Sequence, residues 1–281
     1  MSAPDPLLHP WLALVIGNTR LHWAAFVDNV LQTTWHTRHL NATDVASLIQ
    51  QQFIPNSWAP FTTDSVPLLP TPGHAEDDGL HNAELPLYIA SVVPAQAALW
   101  SIYPGSRELH LDQIPLQNLY PTLGIDRALN LLGAGDRYGW PVLVIDAGTA
   151  LTFTAGDTRA LMGGAILPGL TMQFQALGKY TANLPQAHAG ERLPQRWAHN
   201  TPDAIQSGIL YSTLATIHDF LADWHRRYPN APAILTGGDG ARLFPWLTMS
   251  DRTPPLQLDL GLMFGGMQCC RQFLLSSFTD R

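Results

Sequence analysis

Apolar and polar positions alternate along residues 12–37, LALVIGNTRLHWAAFVDNVLQTTWHT, with breaks at Gly17-Asn18-Thr19 and Asp28-Asn29. A period of two interrupted by turn residues predicts strand, tight turn, strand, turn, strand. NATDVASLIQQQF (41–53) shifts to a helix, capped near Asn41 or Thr43. Residues 55–86 are rich in Pro, Gly and acid and show no period, which predicts a mobile surface insertion. LPLYIASVVP then reads as a buried strand ended by Pro94, and AQAALWSIY as a short helix.

After Leu119 the texture changes. GIDRALNLLGAGDRYG predicts a helix with Ala128, Leu131 and Leu132 on its apolar face, leading into the strand VLVID. RALMGGAILPGLTMQFQAL reads as strand, Gly-Pro turn and helix. In NTPDAIQSGILYSTLATIHDFLADWHRRY, Ile205, Ile209, Leu210, Leu214, Ile217, Leu221 and Trp224 recur at helical spacing. Thr201 is the expected N-cap of that helix, with Pro202 at its first position. PAILTGG is another strand-to-turn, and GLMFGGMQCCRQFLLSSF a last helix.

LVIGNTRLHWAAF and VIDAGTALTFTA can be laid over one another, each a strand, a glycine turn and a second alternating strand. They lie about half a chain apart, which suggests a duplicated fold with two related halves facing a cleft. The second copy poses a question. Asp146 closes an apolar strand, and a buried carboxylate is costly unless something pairs with it. A bound cation, a phosphate held through a cation, or backbone N–H groups would each serve.

Composition narrows the field. The chain has 281 residues, 46% hydrophobic and 13% charged, enough for one large domain or two smaller ones with a real core. The formal net charge of −7, without a basic stripe, argues against nucleic acid and anionic membrane as partners. Cys269 and Cys270 are adjacent and make no disulfide framework, which points to a reducing cytoplasm. MSAPDPLLHPWLALVIGNTR has no basic start and only a short apolar run, so neither a signal peptide nor a membrane span is expected.

A glycine turn carrying Asn and Thr gathers backbone N–H groups and hydroxyls, a concavity suited to phosphate. Two such turns could grip a triphosphate, and TGGDG (236–240) adds a third Gly-rich turn. Each alone is usually just a hairpin; three in one chain, two of them similar, make that reading weaker. Asp126 has two readings, a helix N-cap or a base that orients a hydroxyl toward phosphorus; the helix start and Arg127 would favour its ionised form. Arg127 could hold a substrate carboxylate, and Thr201 could be cap or ligand. His22, His188 and His199 have no metal-ligand spacing and read as surface or supporting residues. Neither a Walker sequence nor G-x-G-x-x-G is present.

GNTR, SVVP, LGIDR, DAGTALT, GGAILPG, TANLP, NTPDAIQSG, TGGDG and a final GL occur in the order found in type III pantothenate kinases, the family that includes proteins once called Bvg accessory factors. The resemblance spans the chain apart from 55–86. It implies an α/β chain of the acetate and sugar kinase/Hsp70/actin-like fold, with two ribonuclease-H-like halves divided near 117/118. It implies a cytoplasmic homodimer that phosphorylates pantothenate with ATP, using Mg²⁺ and a monovalent cation, potassium or ammonium. Carried over by motif, Val15, Ile16, Gly17, Asn18, Thr19, Arg20, Leu21, His22 and Thr149 would meet ATP. Tyr120, Gly124, Ile125, Asp126, Arg127 and Thr201 would meet pantothenate, with Asp126 the proton acceptor and Asp146 the monovalent-cation ligand.

The chain departs from the family twice. The first motif is D-x-G-N-T, and here Val15 stands for the acid; Thr154 stands where a later acid is common. Phosphoryl transfer depends on positioning and charge neutralisation, so these losses bear on Mg·ATP. They leave a competing reading, a catalytically silent homologue that binds pantothenate, nucleotide or a protein, and a remoter one, a phosphatase or chaperone-like ATPase on the same fold.

Overall fold

The computed structural model describes residues 10–27, 29–62, 64, 84–249 and 255–279. Asp28 of the second expected turn, and Thr63 and residues 65–83 of the Pro- and Gly-rich stretch, lie outside the described residues. The start of that stretch is not the surface insertion expected, because Pro55–Trp58 forms a 3-10 turn that seats Trp58 in the core. The chain divides into two compact units. The first comprises Met1–Pro115, Tyr120–Leu129 and Gly266–Arg281, the second Leu116–Leu119 and Asn130–Gly265.

In the first unit, β1 (Trp11–Ile16), β2 (Leu21–Val27) and β3 (Val30–Thr37) form the antiparallel run that alternation predicts. β4 (Leu87–Ser91) and β5 (Ser106–Glu108) add in parallel, giving the order β3-β2-β1-β4-β5. α1 (Ala42–Gln50) starts at Asn41, whose side chain accepts from Asp44 N–H while the Asp44 carboxylate accepts from Asn41 N–H. Pro94 does not itself stop β4; it opens the short helix α2 (Pro94–Ala97), where its missing N–H costs nothing. One face of this sheet buries Leu12, Leu14, Ile16 and Leu21 against Trp23, Trp35, Trp58 and Trp100. Trp58 and Trp100 meet Trp23 edge-to-face, with centroids at 4.8 Å and 5.1 Å, while Trp35 stacks on it at 6.0 Å.

The second unit repeats that topology. β6 (Val142–Ala147), β7 (Ala150–Asp157) and β8 (Ala160–Pro168) run antiparallel, and β9 (Ala233–Thr236) and β10 (Gln257–Leu258) add in parallel, in the order β10-β9-β6-β7-β8. The central strands β1 and β6 therefore occupy equivalent places, and the two glycine turns matched in the sequence end them both. Helices α4 (Leu170–Tyr180), α5 (Thr201–Arg227) and α6 (Gly240–Leu247) bury Leu170, Phe174, Ile209, Leu210, Ile217 and Leu243 against Ile145, Phe153 and Leu235.

α3 (Ile125–Tyr138) and α7 (Leu262–Thr279) each contribute residues to both units. Within the first unit, Arg271 of α7 lies 4.9 Å over the Trp11 ring. α5 corrects one expectation. Its N-cap is Asn200, not Thr201, because the extended Asn200 turns its side-chain oxygen to Asp203 N–H at 2.9 Å. Thr201 is already helical and Pro202 follows as the second residue. Among the described residues no helix is long and apolar enough to cross a membrane.

Candidate active site

The first unit brings Tyr120, Gly124, Ile125, Asp126 and Arg127 together in one stretch. A turn closed by Leu123 N–H on the Tyr120 carbonyl, 2.9 Å, leads into α3. The Gly124 carbonyl accepts from Arg127 N–H at 3.1 Å and Ala128 N–H at 3.2 Å, so Gly124 takes the capping position. Asp126 is thus not the N-cap. It is the second helical residue, and its Oδ1 accepts from Arg127 N–H at 2.8 Å. A Cβ on Gly124 would run into that same Oδ1, so the bare glycine is what lets the carboxylate fold back on the helix start. Burial pushes the Asp126 carboxyl above its ordinary range, against the pull of the Arg127 N–H, the Arg127 charge and its own N–H. The helix start and Arg127 do favour its ionised form, as expected; desolvation, which the sequence does not show, outweighs them. Arg127 is buried at 6% exposure and donates to the Tyr120 hydroxyl at 3.0 Å. That contact links the two residues and fixes the guanidinium.

Also in the first unit, Val15, Ile16 and Leu21 are strand residues buried at 2% or less, flanking a turn of Gly17, Asn18, Thr19 and Arg20. Gly17 N–H donates to the Arg20 carbonyl at 3.0 Å, which closes the turn and leaves Asn18, Thr19 and Arg20 exposed. Val15 pairs with His22 on β2 and with Ala90 on β4. His22 is half-buried.

In the second unit Asp146 takes the place on β6 that Val15 takes on β1. Its Oδ2 accepts from the Asn130 side-chain N–H at 3.0 Å. None of the three partners expected for this acid was a side-chain amide; the sign in the sequence was a polar residue inside the apolar run ALNLL. Asn130 and Thr236 are each 1% exposed, and Thr236 stands beside Asp146 in register on β9. The Asn130 Oδ1 and Thr236 Oγ1 atoms have no hydrogen-bond partner. Two glycines crowd Asp146 Oδ1. A Cβ on Gly148 would lie 3.3 Å from it, and one on Gly237, at φ +88, would strike it and the Ala147 backbone. A carboxylate with buried, unspent oxygens nearby is a donor set suited to a hard monovalent cation. Thr149 is exposed at the tip of the β6–β7 turn. Thr154 is a buried β7 residue, 1% exposed. Thr201, exposed, lines a cavity of about 600 Å³ with Leu177, Leu184, Ile205 and Ile209.

The type III pantothenate kinase family model matches residues 79–223, a span that includes α3, Asp146 and Thr201. A type III pantothenate kinase of a Nostoc species is 46% identical over 272 residues, covering 92% of this chain and 93% of its own. The chain belongs to the type III pantothenate kinase family. Another type III pantothenate kinase, from a Synechococcus species, is 43% identical, covering 93% of this chain and 92% of its own. Among solved structures, a Campylobacter jejuni protein described as a Baf family transcriptional activator aligns with TM-score 0.58 at 17% identity, over 93% of this chain and 97% of its own. A Sinorhizobium meliloti protein assigned as a 2-dehydro-3-deoxygalactonokinase aligns with TM-score 0.50 at 12% identity, over 93% and 96%. With the two equivalent sheets, these place the chain in the acetate and sugar kinase/Hsp70/actin-like fold as a duplicated α/β structure.

Proposed function

We propose that this protein transfers the terminal phosphoryl group of ATP to the primary hydroxyl of pantothenate, giving 4′-phosphopantothenate on the way to coenzyme A. The Asp126 geometry carries this reading. A carboxylate locked by Arg127 N–H, admitted by Gly124 and raised by burial is a base of useful strength, set to take the hydroxyl proton as oxygen attacks phosphorus. Arg127, held by Tyr120, binds the pantothenate carboxylate, and Thr201 adds a substrate contact. The turn from Val15 to His22 and Thr149 hold ATP through backbone N–H groups and hydroxyls. Asp146, with Asn130 and Thr236 beside it, holds a monovalent cation, potassium or ammonium. That cation and the Mg²⁺ that accompanies ATP supply neutralisation of phosphate charge. The working form is a cytoplasmic homodimer.

Val15 favours a second reading, a silent homologue that binds pantothenate or nucleotide without turnover. The intact LGIDR stretch and the family membership stand against it. ADP release is measured with and without pantothenate, in potassium and in sodium buffer. Kinase activity predicts pantothenate-dependent ADP, faster in potassium. Asp146→Ala is expected to abolish the potassium advantage, and with it any potassium-specific rise in melting temperature. ADP release indifferent to pantothenate sinks the proposal, and equal behaviour in the two salts sinks the cation site.

A further inference from the structure

Three histidines surround the Gly17–Arg20 turn, and the proposed reaction leaves the chemistry of their rings unused. The His22 and His36 Nδ1 atoms are 2.9 Å apart, with ring centroids at 4.8 Å and planes at 80°. Such a separation is a hydrogen bond, so one ring donates and the other accepts. It leaves Nε2 of His22 for the turn: a Cβ built on Gly17 would lie 3.6 Å from it. The third histidine, His39, bonds the Gly17 carbonyl through Nε2 at 2.8 Å, which fixes the turn backbone.

Strand register explains the placement. His36, His22, Val15 and Ala90 form one row across β3, β2, β1 and β4. Directly opposed residues send their side chains to the same face of a sheet. In the equivalent row of the second unit, Thr152, Asp146 and Thr236 stand where His22, Val15 and Ala90 stand here. The first unit has an apolar residue in place of the acid, and its polar partner in the row is an imidazole.

We propose that the His22–His36 pair is the charge partner of the nucleotide at this turn: an imidazole N–H donates to the polyphosphate seated on Gly17–Arg20, and the pair takes up one proton from solvent as the nucleotide binds. This rests on the reading of the turn as an ATP site. The charged groups around the pair fit that role. Burial first, then His36 and Arg20, push the His22 imidazolium down to about 4. Burial and Arg20 also lower His36, with Asp64 pulling the other way; the Asp64 carboxylate accepts His36 backbone N–H at 3.0 Å. On the flanking strands Val15 and Ala90 carry no charge. The pair is therefore neutral near neutral pH before nucleotide arrives. A polyphosphate within hydrogen-bond reach favours the protonated form and raises its pKa. Uptake of a proton on binding means that affinity falls as pH rises.

The test is calorimetry of the full chain with Mg·ADP at about pH 6 and about pH 8, in buffers of different ionisation heat. The wild type is expected to bind on the order of tenfold more tightly at the lower pH and to take up close to one proton. His22→Gln and His36→Gln are expected to lose the uptake and flatten the pH dependence. They share the nucleotide's own ionisation, so their difference from wild type isolates the pair, and pantothenate affinity reports that they are folded. Histidine NMR of the wild type provides the variant-free measurement: a ring neutral alone and protonated with Mg·ADP supports the proposal. Nucleotide binding without proton uptake, or with uptake retained in His22→Gln, overturns it and leaves the kinase reading standing. No nucleotide binding at either pH overturns both.

Discussion

As the proposed base, Asp126 would serve catalysis at the expense of the fold. Its raised pKa means that the folded chain binds this proton more tightly than the unfolded chain does. That contribution to stability is complete below the ordinary Asp range and is lost as pH rises through the raised value. At neutral pH the ionised group is a net cost. Asp126→Asn keeps an oxygen for Arg127 N–H and removes the charge. It is expected to raise the melting temperature at neutral pH, with the gain vanishing in acid, while turnover falls about 10²- to 10⁴-fold and pantothenate still binds. Thermal denaturation across pH and kinetics on the same variant check both halves; unchanged turnover would reduce Asp126 to a helix-start residue. In the wild type, turnover is expected to fall in acid as Asp126 takes up its proton, at a pH above the ordinary Asp value of about 3.9. A pH–rate profile shows where that limb lies.

At the scale of elements, most of the chain was legible because its signals are local. Alternation marks β1 to β3, and the spacing of Ile205, Ile209 and Leu210 through Trp224 marks α5. The start of α5 was misread by one residue. Asn200 and Thr201 are both good capping types, and only the backbone, extended at Asn200, settles which side chain reaches Asp203 N–H. Asn200→Ala is expected to cost about 1 kcal/mol of stability. Thr201→Ala, at a first helical position, should leave the unfolding midpoint nearly unmoved and instead raise the KM for pantothenate. Denaturation midpoints and kinetics of the two variants separate the roles. Equal destabilisation by both, with no change in KM, would return Thr201 to the cap.

For the whole molecule, the duplicated topology turns a family departure into a structural comparison. β6 keeps Asp146 two residues before its glycine, whereas β1 has Val15, 2% exposed, two residues before Gly17. At the ATP turn proposed here, an acid missing beside metal and phosphates should hurt ATP more than pantothenate. The wild-type KM for ATP is expected near the upper end of the enzyme range, roughly 1 mM, with ordinary pantothenate affinity. Val15→Asp should lower that KM or raise kcat, with the new carboxylate facing His22 in register. A wild-type KM in the low micromolar range contradicts this, as does a folded Val15→Asp protein with unchanged kinetics.

By itself the sequence determined the longer strands and helices, the repeated strand–turn–strand unit and the motif order that names the family; the short edge strands β5 and β10 and the helix α6 were not legible in it. Periodicity, glycine turns and short motifs are properties of neighbouring residues. The tertiary structure alone decided which polar groups meet. Asn130 and Asp146 lie 16 residues apart, His22 and His36 lie 14 apart, and Tyr120 and Arg127 lie 7 apart. The packing of α3 against β6, the register of β2 with β3, and the turn before α3 bring these pairs within 3.0 Å. The Asp126 shift has the same origin. Its sign depends on how much water burial removes, and no local pattern of residues carries that quantity.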